Sequence, residues 1–302
     1  MGRRAAGKED MAQKWTGKEV AQDLDQKTAA EVSRLIEAGI QPTIGVIRVG
    51  EKAADLSYEK GLVKRCEKVA IRVEKFLLPE DVSEQGLRDV VREVNASPQI
   101  HGILLFRPLP KGMDEHGILQ EIAPEKDLDC VTDASLAGVF AGKAGGFAPC
   151  TAEAVIRILD YYGYDCTGKR AVVVGRSTVI GKPAAMLLLA KNATVTIAHT
   201  RTRDLPALLR EADLIVAAAG HPHTVTRECL GMGQTLVDVG INVDENGKLT
   251  GDVDREAEET LAGAYTPVPG GVGAVTTSVL AAHLAEAAAA QSAQGGDQKK
   301  CQ

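Results

Sequence analysis

The segment from Arg170 to Arg203 constrains this chain most, because it alternates an apolar run, a glycine turn, an apolar helix and a second β-prone run. Ala171-Val172-Val173-Val174 has the composition of a strand buried on both faces. Gly175-Arg176-Ser177-Thr178-Val179-Ile180-Gly181-Lys182-Pro183 then turns into a helix expected over Ala184 to Ala190, and Thr194 to Ala198 forms the next strand. This is a Rossmann-like βαβ unit. Glycine at 175 lets the backbone approach a pyrophosphate, and the amides at the helix start are expected to offer it unpaired N–H donors and the positive end of a dipole. The spacing is not G-x-G-x-x-G, so the glycines alone do not define a dinucleotide site.

The end of the second strand selects the cofactor. A protein that binds NAD usually places Asp or Glu there for the ribose hydroxyls, whereas a 2′-phosphate needs cations and hydroxyl donors. Here the strand runs into His199-Thr200-Arg201-Thr202-Arg203 with no carboxylate before Asp204, and Arg176 stands in the glycine turn. NADP is therefore the expected cofactor. Arg176 and Thr200 are expected beside the adenosine ribose, with Arg201 near them, while Arg203 reads as a solvated loop charge.

With 302 residues, 44% of them hydrophobic, the chain is long enough for two domains that each bury a core. Its net charge of −6 and 3% aromatic content give neither a basic footprint nor a stacking platform for nucleic acid. No apolar run approaches the roughly 20 residues of a membrane span, and the charged first ten residues argue against a signal peptide. A cytoplasmic protein is expected. Six cysteines, at 66, 130, 150, 166, 229 and 301, lack C-x-x-C spacing and read as reduced thiols, with no metal site expected. Residues 1–10, ahead of a second possible start at Met11, and residues 291–302 read as disordered.

Helix and strand signals alternate before the dinucleotide unit. Helices are expected over Gly17 to Ala38, Ala53 to Ala70 and Ser83 to Asn95, and strands over Thr43 to Val49, Ile71 to Leu78 and Ile100 to Phe106. Together they make a small α/β domain with a parallel sheet, ended by Arg107-Pro108-Leu109-Pro110. Thr151 is expected to cap a helix over Ala152 to Tyr162. Strands at Leu214 to Ala218 and Leu236 to Val239 extend the second domain, and Thr266 to Gly273 leads into an alanine-rich helix over Val275 to Ala290. The resulting expectation is an α/β, two-domain chain: residues 11–148 plus 275–290 in one domain, and 149–274 in a Rossmann-like NADP domain. An active site in a cleft between them is expected.

Gly175-Arg176-Ser177 with Gly181-Lys182-Pro183, the Pro267 to Gly273 loop, Pro149-Cys150-Thr151 and Lys126-Asp127-Leu128-Asp129 together resemble the methylenetetrahydrofolate dehydrogenase/cyclohydrolase family, nearly colinearly from Met11 to Ala290. The resemblance implies NADP-dependent oxidation of 5,10-methylenetetrahydrofolate, hydrolysis of the methenyl product to 10-formyltetrahydrofolate, and a homodimer. It implies that Tyr58 and Asp129 serve the folate, that Pro269, Gly270 and Gly273 line its side, and that Gly175, Arg176, Ser177, Thr200 and Ile241 contact the cofactor.

Departures from the pattern are equally informative. The family's catalytic lysine position holds Leu62, its glutamine position Phe106, the glycine after the pterin aspartate is Cys130, and the proline after Gly-Val-Gly is Ala274. On a helical projection, Leu56, Val63, Cys66 and Ala70 form the expected core stripe and Tyr58, Leu62 and Arg65 the expected wall of the cleft. Lys60 and Lys64 project elsewhere. The reading is a folate dehydrogenase with hydrolysis weakened or lost; the alternatives are a fully bifunctional enzyme using another base, a non-catalytic folate or NADP binder, and a shikimate-type dehydrogenase, which leaves the Pro267 to Gly273 loop unexplained.

Overall fold

A computed structural model describes residues 12–142, 146–244 and 247–298. Residues 1–11, with the charged lead and Met11, and residues 299–302, with Cys301, lie outside the described residues. The chain opens with β1 (Gln13–Lys14), α1 (Gly17–Glu37), β2 (Thr43–Val49), α2 (Ala53–Lys68), β3 (Arg72–Leu78), α3 (Glu84–Ala96) and β4 (Gly102–Leu105). It continues through α4 (Glu115–Leu119), α5 (Asp133–Ala141), α6 (Cys150–Tyr161), β5 (Arg170–Val174), α7 (Gly181–Ala190), β6 (Thr194–Ala198), α8 (Leu205–Arg210) and β7 (Leu214–Ala217). The remainder is β8 (Thr235–Asp238), β9 (Asn242–Val243), β10 (Leu249–Thr250), α9 (Arg255–Leu261), β11 (Ala264–Tyr265) and α10 (Thr276–Gln298).

These elements form two compact units. One contains residues 18–154 and 274–298, the other residues 12–17 and 155–273. In the first, β2 is the centre of a three-stranded parallel sheet of order β3-β2-β4. All seven residues of β2 are buried, as its central position requires. Gly45 admits α3 close to the sheet, since a Cβ there would stand 2.8 Å from Val94 Cγ1. Leu87, Val91 and Val94 of that helix pack with Ile47, Val49, Ile103 and Leu105 into one core. The late helix α10 packs on α2, β2 and β4.

In the other unit a six-stranded parallel sheet has the order β1-β11-β8-β7-β5-β6. Residues 12–17, expected with the first domain, depart from that reading because β1 completes this sheet beside β11. Trp15 follows β1 and stacks on Tyr162 with ring centroids 5.0 Å apart, so an aromatic contact reinforces the edge strand.

Three further expectations are corrected. The chain beyond Ala290 is not disordered at once: α10 runs through Gln298, and Gln291 Nε2 donates to the carbonyls of His101 at 2.7 Å and Glu125 at 3.1 Å. Thr151 is no cap, because α6 begins at Cys150 and places Thr151 in its first turn. On α2 the buried residues are Glu59, Leu62 and Cys66, while Leu56 is 41% exposed and Ala70 lies beyond the helix with φ +57°. The inward face is rotated from the projected stripe because a buried charge, Glu59, shares it with Leu62 and Cys66. Glu59 accepts from Arg48 Nε of β2 at 2.8 Å and from Lys75 Nζ of β3 at 2.7 Å. Satisfying those buried charges outweighs exposing Leu56.

Candidate active site

In the first unit the site is built on the loop that follows Pro124. Lys126 is buried, and its Nζ donates to the carbonyls of Asn95 and Ser97, both at 2.7 Å, closing the end of α3. Asp127 accepts from the backbone N–H groups of Val131 and Thr132, each at 2.9 Å, and from Thr132 Oγ1 at 2.8 Å. Leu128 lies over Gly102, where a Cβ would come within 2.5 Å of its Cδ1. Cys130 then turns the chain with φ +55°, a conformation in which glycine is favoured, which explains why the family pattern carries glycine at this place.

This bracing presents Asp129, which is half-buried and accepts from Cys150 N–H at 2.9 Å. Burial raises the Asp129 pKa above the usual carboxylate range; the Cys150 hydrogen bonds and the charges of Arg107 and His283 work against that rise. Tyr58, 41% exposed, meets Phe106 edge to face with centroids 5.8 Å apart. Its phenol pKa is raised, first by burial and then by the neighbouring charge of Asp129, so it remains a hydrogen-bond donor at neutral pH. The structure therefore brings Tyr58, Phe106 and Asp129 together. Leu62 differs from its expected place as an exposed wall: it is 0% exposed and belongs to the core. Arg65, expected on the same wall, is tied to Asp25 on α1, which Lys68 joins at 2.8 Å.

Around Asp129 lie groups not assigned a role from the sequence. His283 of α10 is 1% exposed, stacked on Phe147, and bonded through Nδ1 to the Leu128 carbonyl at 2.8 Å and through Nε2 to Glu153 Oε2 at 2.9 Å. Cys150 is assigned only as part of a motif. The signal for His283 in the sequence is a single histidine in an alanine-rich helix, and nothing local connects it with residues 128–153.

The second unit carries the candidate cofactor residues. Gly175 follows β5 at φ +137°, and a Cβ there would stand 2.1 Å from the Ala218 carbonyl oxygen. Glycine is thus required by the neighbouring chain. The helix-start amides differ from expectation: α7 begins at Gly181, and the N–H groups of Ile180 and Gly181 already donate to Ser177 Oγ at 3.1 and 3.4 Å. Lys182 N–H donates to the Ser177 carbonyl at 3.0 Å, so these expected anion donors are used inside the turn. Arg176, Ser177, Thr200 and Arg201 are exposed, and they follow the ends of β5 and β6, which pair through Val174 and Ala198. Thr202 Oγ1 accepts from His199 N–H at 2.8 Å and shapes the turn that carries Thr200 and Arg201. Ile241 is 66% exposed, and its Cδ1 lies 3.4 Å from where a Cβ at Gly273 would stand. Pro269, Gly270 and Gly273 are exposed residues of this same unit. The five described cysteines are free, and among the described residues no cluster of His, Cys, Asp or Glu is arranged to hold a metal.

Fold and site define an α/β protein of two units, one with a Rossmann-like parallel sheet and the other with a braced carboxylate beside two aromatic rings. Residues 15–129 match the family model of the tetrahydrofolate dehydrogenase/cyclohydrolase catalytic domain, and residues 149–292 that of its NAD(P)-binding domain. The chain belongs to this tetrahydrofolate dehydrogenase/cyclohydrolase family. It is 48% identical over 271 residues to the bifunctional protein FolD of Alkaliphilus oremlandii, covering 90% of this chain and 95% of that one. The FolD of Carboxydothermus hydrogenoformans is 47% identical over 279 residues, covering 92% and 97%. The crystal structure of bifunctional FolD from Campylobacter jejuni is 35% identical and superposes with a TM-score of 0.88, covering 91% of this chain and 97% of that one. That of the Trypanosoma brucei enzyme, complexed with NADP and an inhibitor, is 32% identical with a TM-score of 0.85, covering 92% and 97%. Among the described residues no helix is long and apolar enough to cross a membrane.

Proposed function

We propose that the chain oxidises 5,10-methylenetetrahydrofolate to 5,10-methenyltetrahydrofolate with NADP, and that its cyclohydrolase step is weak or lost. The observation that carries the reading is the Asp129 carboxylate, held by Cys150 N–H at 2.9 Å beside Tyr58 in a member of this family. In this reading Asp129 accepts hydrogen bonds from the pterin's amino and ring N–H groups, and Tyr58 donates from its phenol. Pro269, Gly270 and Gly273 serve the folate side. The donor set after β5 and β6 suits a 2′-phosphate: Arg176, Thr200 and Arg201 offer cations and a hydroxyl, without a carboxylate to repel it. Gly175 and Ser177 would hold the remainder of the phosphates, and Ile241 would supply apolar contact. The bound dinucleotide supplies the hydride acceptor.

Loss of hydride from the methylene carbon leaves a cation stabilised by its two flanking nitrogens, so positioning suffices and no general base is required. Hydrolysis is more demanding, because water must lose a proton as it attacks and the departing nitrogen must receive one. Leu62 and Phe106 can do neither. The cysteines near Asp129 and Tyr58 are no substitute, since burial pushes Cys66 and Cys130 up to about 12 and Cys150 well above its ordinary value. Loss of general acid–base help typically costs ~10²–10⁴-fold in rate.

Purified protein given methylenetetrahydrofolate and NADP is expected to form NADPH and to accumulate methenyltetrahydrofolate. No NADPH would favour the binding-only alternative. Methenyl decay well above the buffer rate, unaffected by changing Leu62, would favour the bifunctional one. Asp129→Ala is expected to abolish folate turnover while NADP binding persists; unchanged folate kinetics would remove Asp129 from the site. The reading includes a homodimer in the cytoplasm, which light scattering and cell fractionation check.

A further inference from the structure

We propose that His283 is a positioning residue of the folate site, held as an imidazolium cation between the Leu128 carbonyl and the Glu153 carboxylate so that the Asp129 carboxylate is correctly placed and its ionised form favoured. The inference rests on the assignment of Asp129 to the pterin.

The proton count follows from the acceptors. A carbonyl oxygen has no hydrogen to give, so Nδ1, at 2.8 Å from Leu128 O, must be the donor. In a neutral ring Nε2 would then carry a lone pair, yet it faces Glu153 Oε2 at 2.9 Å, an atom that is also an acceptor when ionised. The contact is satisfied when Nε2 holds a second proton and the ring becomes a cation. Burial opposes that charge, but the Glu153 hydrogen bond and charge, the Leu128 carbonyl and the charge of Glu286 outweigh it and raise the His283 pKa.

The geometry transmits the consequence to the site. Leu128 directly precedes Asp129, so clamping its carbonyl fixes the peptide that carries the carboxylate. Cys150 closes a second link: its N–H donates to Asp129 Oδ1 at 2.9 Å, and its Sγ lies 3.4 Å from the Leu128 carbonyl and 3.7 Å from His283 Nδ1. Phe147 lies against the ring, centroid to centroid 4.6 Å with planes 24° apart. The charged and titratable groups around this assembly include Glu153 on α6, Glu286 on α10, Arg107 after β4, Tyr58 on α2, and Asp127, Cys130 and Cys150. With burial raising the Asp129 pKa, the imidazolium is one of the cations that oppose protonation.

Two measurements test this. Nitrogen-15 NMR of the intact labelled protein, with the resonance assigned among six histidines by loss in His283→Gln, is expected to show both ring nitrogens protonated at pH 7.5 or so. One unprotonated nitrogen would overturn the proposal. In steady-state kinetics, Glu153→Gln and His283→Gln are each expected to raise the folate KM by about fivefold or more while leaving the NADP KM unchanged. The acidic limb of kcat/KM for folate is expected to move to higher pH, as loss of the cation makes Asp129 easier to protonate. A lower Tm with unchanged folate KM and an unmoved limb would show that His283 only packs. Asp129→Asn separates the two ideas: if it leaves folate kinetics unchanged, the assignment of Asp129 itself fails. If it abolishes them while both other variants behave as wild type, only the role of His283 fails.

Discussion

Replacing Leu62 and Leu56 by alanine, one at a time, tests which face of α2 meets the core. Leu62 is 0% exposed and Leu56 41% exposed, although both are leucines on the same helix. Truncating the buried one removes apolar carbons from the interior and leaves a cavity, a combined cost of about 3–5 kcal/mol. Truncating the exposed one should cost about 0.5 kcal/mol. At about 2–4 °C per kcal/mol for a unit of this size class, Leu62→Ala is expected to lower Tm by about 6–20 °C and Leu56→Ala by about 1–2 °C. Far-UV circular dichroism should record the loss. Fluorescence provides a control, because Trp15, the one tryptophan of the chain, belongs to the cofactor unit and reports on that unit's unfolding. Separate unfolding would therefore leave the fluorescence transition of Leu62→Ala close to wild type while the dichroism transition falls. Equal losses, or a larger loss for Leu56→Ala, would refute the rotation of α2 and return Leu62 to an exposed wall.

Gly175→Ala should destabilise the cofactor unit by about 2 kcal/mol or more, since its Cβ would stand 2.1 Å from Ala218 O and φ is +137°; melts that match wild type would refute the clash. Arg176→Ala should raise the KM for NADP much more than for NAD, and equal effects would show that Arg176 does not read the 2′-phosphate. Burial, followed by the charges of Asp238 and Glu259, raises the Glu258 pKa from 4.5 to about 8, so the fold favours its protonated form. Its contribution is fully present below about pH 4.5 and is lost as pH rises through about 8. Urea melts followed by Trp15 fluorescence should therefore show stability falling over this window in wild type and a shallower fall in Glu258→Gln; parallel pH profiles would exclude the linkage.

Local pattern by itself determined much of this protein. The strand Thr43–Val49 has the bounds its apolar run indicates, because a central parallel strand is buried on both faces, and Thr194–Ala198 has them as an edge strand whose Thr194 and Thr196 meet solvent. The Rossmann-like class follows from the order of run, glycine turn, helix and run, and the family from motifs spaced along nearly the whole chain. The tertiary structure decided what depends on partners distant in sequence. A helical projection weighs side chains by polarity and cannot know that Glu59 is met by Arg48 and Lys75, so it exposes Leu62 and buries Leu56. Helix-start amides look available until Ser177 Oγ folds back onto them. Likewise His283 stands 155 residues from the Leu128 carbonyl it binds, and only the packing of α10 brings its charge to Asp129. Periodicity reports the average environment of a helix face; the fold determines which individual charge is neutralised there, and by which neighbour.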